Sequence, residues 1–216
     1  MEIIIFLITF SILFLGELGD KTQLVVFNLS LEHEKSYKVG IGATIGFAVI
    51  VTIGVFFGVF ITTFIPLTIV TIVSGIVFII VGILETRGLK DLYRERKFKK
   101  DGEDSENFEP LREENINSES NSRWSSLKKN PYLTGFSCIF LMELGDKTQI
   151  LTIALASIYP YPFEVWLGAF LALTSLAWMG AFFGAAIARR IPKFHLKLIS
   201  VIIFIIIGIL ILVTSI

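Results

Sequence analysis

The chain has 216 residues, 54% of them hydrophobic and 18% charged, with 20 phenylalanines and a formal net charge of zero. Its apolar residues come in unbroken runs of the length that spans a bilayer, about 20 residues for a helix, which excludes an ordinary soluble domain. The one cysteine, Cys138, excludes a disulfide within the chain and a cysteine-based metal cluster, and the two histidines, His33 and His195, lie near segment ends.

The first apolar run covers 3–31. No basic residue precedes Lys21, and the run continues past it to Leu31, so it reads as a retained transmembrane helix and not as a signal peptide. The second and third spans are 39–63 and 67–86, separated at Pro66. A polar connection of about 87–130 follows, with eleven basic and ten acidic residues. Its start, Leu89 to Lys100, can continue the third helix and lie on anionic headgroups. The plainer reading of the whole, which includes the low-complexity run Asn115 to Ser126, is a solvated and largely disordered linker. Pro131 suits the first turn of the fourth span, 131–158. The Tyr159-Pro160-Tyr161-Pro162 stretch turns the chain into the fifth, 164–188, and Pro192 separates that from the sixth, 194–214. The expected fold is all-α and integral to the membrane, with six transmembrane helices.

Charge placement sets the expected orientation. Of the 19 Lys and Arg residues, all but Lys21 and Lys147 fall in the first, third and fifth connections: Lys35 and Lys38, eleven between Arg87 and Lys129, and Arg189, Arg190, Lys193 and Lys197. By the positive-inside rule these connections face the cytoplasm, so both termini face outward. Tyr159, Tyr161 and Trp166 fit an aromatic belt on the outer face.

The sequence also repeats. A shift of 126 positions aligns the two halves without a gap, and Glu17 to Gln23 meets Glu143 to Gln149 identically. Gly42-Ala43 meets Gly168-Ala169, Phe56-Phe57-Gly58 meets Phe182-Phe183-Gly184, and Gly82-Ile83-Leu84 meets Gly208-Ile209-Leu210. This divides the chain into a first three-helix repeat (1–86), the linker (87–130) and a second three-helix repeat (131–216). Three spans is an odd number, so the second repeat enters the membrane from the opposite side. Inverted repeats of this kind recur in secondary transporters, with the substrate site near the midplane between the repeats. Composition alone does not exclude an inverted-repeat channel or scaffold.

The repeated motif, Glu-Leu-Gly-Asp-Lys-Thr-Gln, lies deep in the apolar runs. An ionised residue at such depth costs about 2.5–3.5 kcal/mol on insertion scales, so its default reading is functional. On a continuous helix Glu17, Asp20 and Gln23 share one face, as do Glu143, Asp146 and Gln149, and Lys21 and Lys147 follow their glutamates at the spacing of a helical ion pair. Gly19 and Gly145 permit close helix approach or local unwinding. Were the two motifs to meet, four carboxylates and two amides would surround one small space, a donor set for a hard divalent cation: Ca²⁺, Mn²⁺ or Mg²⁺. Crowded carboxylates repel, so protons can replace a departing cation. Lys21 and Lys147 would balance charge. Thr22 and Thr148 are candidate additional ligands, whereas Thr44, Thr52, Thr174 and Ser175 read as packing residues and Glu85, beside Arg87, as an interfacial charge.

The paired Glu-x-Gly-Asp-Lys-Thr motifs resemble those of the transmembrane protein 165-like family, small cation exchangers of Golgi, chloroplast and bacterial membranes implicated in Mn²⁺ and Ca²⁺ transport against protons. The resemblance covers both halves, and the family's signature acids fall on Glu17, Asp20, Glu143 and Asp146. It implies antiport of a divalent cation, Mn²⁺ before Ca²⁺, exported from the cytoplasm with protons as counter-ion and without a prosthetic group. The start of the sequence fits a prokaryotic plasma membrane better than an organelle. The alternatives are a divalent cation channel or uniporter and an exporter of a small organic cation. An intramembrane metal-dependent enzyme is a poor fit, for want of a nucleophile beside a base or a His–carboxylate cluster. Expected partners are the metal ion and the lipid bilayer, with no nucleic acid; a homo-oligomer is compatible with the sequence.

Overall fold

The computed structural model describes residues 2–18, 20–32, 36–100, 130–190 and 193–215, and for 21, 24, 32, 36, 87–100, 183–190, 193–197 and 215 the backbone alone. Among the described residues eight helices follow in chain order: α1 (Ile3–Glu17), α2 (Lys21–Glu32), α3 (Ser36–Phe64), α4 (Leu67–Lys100), α5 (Pro131–Glu143), α6 (Lys147–Ile158), α7 (Pro162–Arg190) and α8 (Lys193–Ser215). The first and fourth expected spans are each two helices in tandem, because each motif interrupts its helix. Three helical stretches, Tyr37–Phe64, Leu67–Thr86 and Pro162–Phe182, are long and apolar enough to cross a membrane, and Ile3–Glu17, Lys147–Ile158 and Leu198–Thr214 are shorter apolar helices. The backbone of α4 stays helical to Lys100, as the charged continuation after Leu89 allows. The linker from 101 to 129 and Pro192 lie outside the described residues.

The halves interleave. The helix α3 of the first half packs on α5 and α6 of the second, and α7 of the second packs on α1 and α2 of the first. Glycines set these approaches: a Cβ on Gly42 would overlap the Tyr132 carbonyl oxygen, and one on Gly168 would stand 2.7 Å from that of Phe6, the residue equivalent to Tyr132. Further along, Gly54 faces Thr152, and Gly180 faces the Gln23 backbone. The order of these contacts makes α3 parallel to α5–α6, and α7 parallel to α1–α2. Meanwhile α3 and α7 are antiparallel, since the indole N–H of Trp166 donates to Thr52 (2.9 Å) and that of Trp178 to Thr44 (3.1 Å). Equivalent helices of the two halves therefore point in opposite directions. The chain is a membrane protein of two inverted repeats.

The axis relating the repeats runs close to α4 and α8, which are also antiparallel: Gly75 faces Leu212 and Gly82 faces Ile205. The equivalent residues Phe78 and Phe204, both fully buried, meet edge to face at 6.3 Å between ring centroids. An exchange of the halves maps this contact onto itself, and the motifs lie beside it, with Phe204 against Gly16. In contrast to this buried centre, Phe56, Phe60, Ile76, Ile83, Ile206 and Leu210 are exposed around the outside. That inside-out distribution suits a chain whose solvent is lipid.

Candidate functional site

The motif breaks its helix by turn chemistry. In the second copy Leu144 (φ −67°, ψ 109°) and Gly145 (φ +83°) are the central residues of a type II turn, closed by the Asp146 N–H donating to the Glu143 carbonyl at 3.2 Å. Asp146 then takes the N-cap position of α6 in extended conformation (φ −79°, ψ 172°). The first copy matches: Leu18 is extended (φ −64°, ψ 118°), and the Asp20 N–H donates to the Glu17 carbonyl at 3.1 Å. Gly19 and the side chain of Lys21 lie outside the described residues. Only a residue without Cβ takes the positive φ at low cost. Gly145→Ala is therefore expected to destabilise the protein by about 1–2 kcal/mol, read as a lowered melting temperature in detergent.

This geometry differs from the single helical face that the i, i+3 spacing suggests. Each glutamate ends one helix, while the Thr and Gln of the same motif begin the next. The break instead sets each glutamate against the start of the other half's second helix. The Thr148 hydroxyl at the start of α6 donates to Glu17 Oε1 at 2.6 Å, and the Thr22 hydroxyl at the start of α2 donates to Glu143 Oε1 at 2.8 Å. These two bonds are equivalents under exchange of the halves. The partial positive charge of a helix N-terminus adds to both.

Glu17, Glu143 and Thr148 are buried, with 4%, 1% and 0% of their surface exposed. Glu17, Thr22, Gln23 and Glu143 line a cavity of about 10 Å³, closed on its apolar side by Phe47 and Leu173, themselves equivalent residues of α3 and α7. Glu143 Oε2 is buried and accepts no hydrogen bond from the described residues. A buried carboxylate oxygen left without a donor is costly, and it is the open acceptor of this site.

The other motif residues lie around this centre. Gln23 donates to the Glu17 carbonyl at 3.4 Å, and Gln149 Oε1 accepts the Gly145 N–H at 2.6 Å. Asp146 is exposed. Asp20 is engaged by Lys147, whose ammonium lies 2.7 Å from Asp20 Oδ2, 2.8 Å from Glu85 Oε1 and 3.7 Å from Glu17 Oε1, with the Gly16 carbonyl at 3.4 Å. Two carboxylates, not four, therefore line the cavity, and among the described residues no three Asp, Glu, His or Cys side chains converge as a preformed metal cluster. Lys147 reaches across to the other half, because the turn removes the helical register that would place it over Glu143.

Glu85 is the residue that sequence reasoning misjudged. It is a partly buried partner of Lys147, with its side chain 14% exposed, a role that the reading as an interfacial charge did not foresee. Its equivalent in the second half is Ile211, so the repeat gives no hint of it. The available signal was an acid inside the apolar stretch of α4, where an ionisable group is functional by default.

The two threonine–glutamate bonds give a direct prediction. Thr148→Val removes a hydrogen bond to a carboxylate, worth about 1.5–3 kcal/mol. Thr148→Val is expected to lower the melting temperature in detergent, and Thr22→Val to do the same.

No curated protein and no solved structure matches the chain significantly. One family does, described as Divalent cation/proton antiporter GDT1, over residues 5–91 and 131–216, which take in both repeats with their motifs. On that match, which covers well over half its length, the chain belongs to the divalent cation/proton antiporter GDT1 family.

Proposed function

We propose that this antiporter exports Mn²⁺ from the cytoplasm in exchange for protons, with Ca²⁺ the next preference, by alternating access to the site between its inverted repeats. The family is one of transporters and not of enzymes, and its members exchange divalent cations for protons. The observation that carries the finer reading is the reciprocal pairing of Glu17 with Thr148 and of Glu143 with Thr22 around one cavity, with Glu143 Oε2 left open. An all-oxygen donor set suits a hard cation. The cargo's ligands are Glu17 and Glu143, joined by Asp20, Asp146, Gln23 and Gln149 as the site opens to either side, with Thr22 and Thr148 as supporting oxygens. Lys147 balances the charge of the first motif; Lys21 is assigned the same role for the second.

The small cavity supports this reading over export of an organic cation. A space of about 10 Å³ admits about one water-sized particle. A site for a drug-sized organic ligand encloses about 300–1,000 Å³. We place the protein in the cell membrane with both termini outside and the connection after α4 in the cytoplasm, on the distribution of Lys and Arg.

The test is flux in proteoliposomes with Mn²⁺ or Ca²⁺, with and without an imposed pH gradient. Gradient-driven metal flux, faster for Mn²⁺, is expected. Metal flux indifferent to the gradient would indicate a uniporter or channel. Absence of flux for both ions with folded protein would sink the metal reading.

A further inference from the structure

The two halves share their motifs, but one partner of Lys147 has no equivalent in the repeat. The Lys147 ammonium ties three parts of the first half together: the break between α1 and α2 through Asp20, the end of α1 through the Gly16 carbonyl, and the middle of α4 through Glu85. Glu85 has no counterpart, because the equivalent position of α8 is the buried Ile211. Other contacts do pair across the repeat: the two threonine–glutamate bonds exchange with each other, and Phe78 with Phe204. The halves nevertheless differ in cover, with Leu18 and Asp20 partly buried and Leu144 and Asp146 exposed.

An exchanger built from inverted repeats works by swapping the roles of its halves, so that each conformer is the other turned over. Perfectly matched halves would make the two conformers equal in energy. A contact formed by one half alone breaks that balance. In the turned-over conformer Lys21 takes the place of Lys147, and Ile211 stands where Glu85 does. The ion pair of Glu85 with Lys147 is then lost, and Ile211 offers Lys21 no carboxylate in its place.

We propose that Glu85 is a positioning residue of the exchange cycle: through Lys147 it holds α6 against the first half and favours the conformer described here over its inverted counterpart. Glu85 acts through another residue and lies apart from the cavity, so its removal changes which face the site is offered to and not the chemistry of the site. An apparent affinity is the intrinsic one reduced by the fraction of protein in the competent conformer. Weakening the bias therefore improves affinity on the face that this conformer keeps closed and worsens it on the other. This inference rests on the antiport reading above.

The experiment measures the KM for Mn²⁺ separately on each face, in proteoliposomes sorted by orientation, for the wild type and Glu85→Gln. The expected result is two shifts of opposite sign, about fivefold down on one face and a smaller rise on the other. Damage to folding raises both values or lowers only the maximal rate, so it cannot mimic opposite shifts. Glu85→Asp keeps the charge but withdraws it by one methylene, and it is expected to give a smaller shift of the same pattern, which serves should the amide variant not fold. Equal KM changes on both faces, or none, would overturn the proposal while leaving antiport intact. Failure of the wild type to move Mn²⁺ would overturn the underlying reading and the proposal with it.

Discussion

Glu143→Gln is expected to abolish cation exchange while leaving the fold in place. The substitution keeps the shape of the side chain and a carbonyl oxygen for the Thr22 hydroxyl, so packing around α5 and α2 has no reason to change. It removes one of only two carboxylates that line the cavity. A buried cation left with half of its counter-charge is in the position of a buried ion pair that has lost one partner, a loss of about 3–5 kcal/mol. At 1.36 kcal/mol per factor of ten, flux at subsaturating Mn²⁺ should fall by about two to four orders of magnitude. Glu17→Gln is expected to do the same, because Glu17 holds the equivalent place with Thr148 as its donor. The check is flux at several Mn²⁺ concentrations beside a melting curve in detergent, with the melting temperature unchanged or slightly raised, since the variant no longer buries an uncompensated carboxylate. A variant that transports within a few fold of wild type would move the cargo away from this cavity.

The parts of this architecture that were legible in the sequence rest on solvent and repetition. Apolar runs of bilayer length follow from the lack of water around the backbone, and Gly42 with Gly168 or Phe78 with Phe204 can be paired by a fixed shift before any coordinates exist. The depth of the motif in the apolar runs was legible, but its shape was not. A spacing of three between Glu17 and Asp20 means one face only if the helix is continuous, and Gly145 followed by Asp146 is a turn residue followed by a helix cap. Read as a type II turn, the same letters set the glutamate and the threonine of one motif on different helices, with partners in the other half. Which partners they find was beyond reach. Thr148 and Glu17 are 131 residues apart, and their bond depends on how α1 and α6 pack, which no local pattern encodes. Glu85 carried a signal, as an acid within the apolar stretch Leu67–Thr86, but nothing in that stretch names its partner, a lysine from the other repeat.

Lys147→Met should be the most damaging substitution outside the glutamates, and its damage should fall on stability. The ammonium serves three carboxylates at once, with Asp20 and Glu85 in direct contact and Glu17 somewhat farther away. Its own side chain is 14% exposed, that of Asp20 25% and that of Glu17 5%, so water compensates little of what is lost. Methionine fills a similar volume and leaves these acids without a cation, and breaking a buried pair in this way costs about 3–5 kcal/mol. A deficit of that size is a large fraction of the stability of a typical domain. The expected observation is a sharp fall in the yield of monodisperse protein and in its melting temperature. Combining Lys147→Met with Glu85→Leu should recover part of the loss, because the second change removes one of the stranded charges. A coupling of about 1 kcal/mol or more between the two sites in a double-mutant cycle would mark them as one interacting unit. Strict additivity would mean that Lys147 stabilises the protein through Asp20 and Glu17 alone, with Glu85 a bystander. The two outcomes also bear on transport: a coupled pair can bias the exchange of conformers, whereas an uncoupled one leaves the halves balanced.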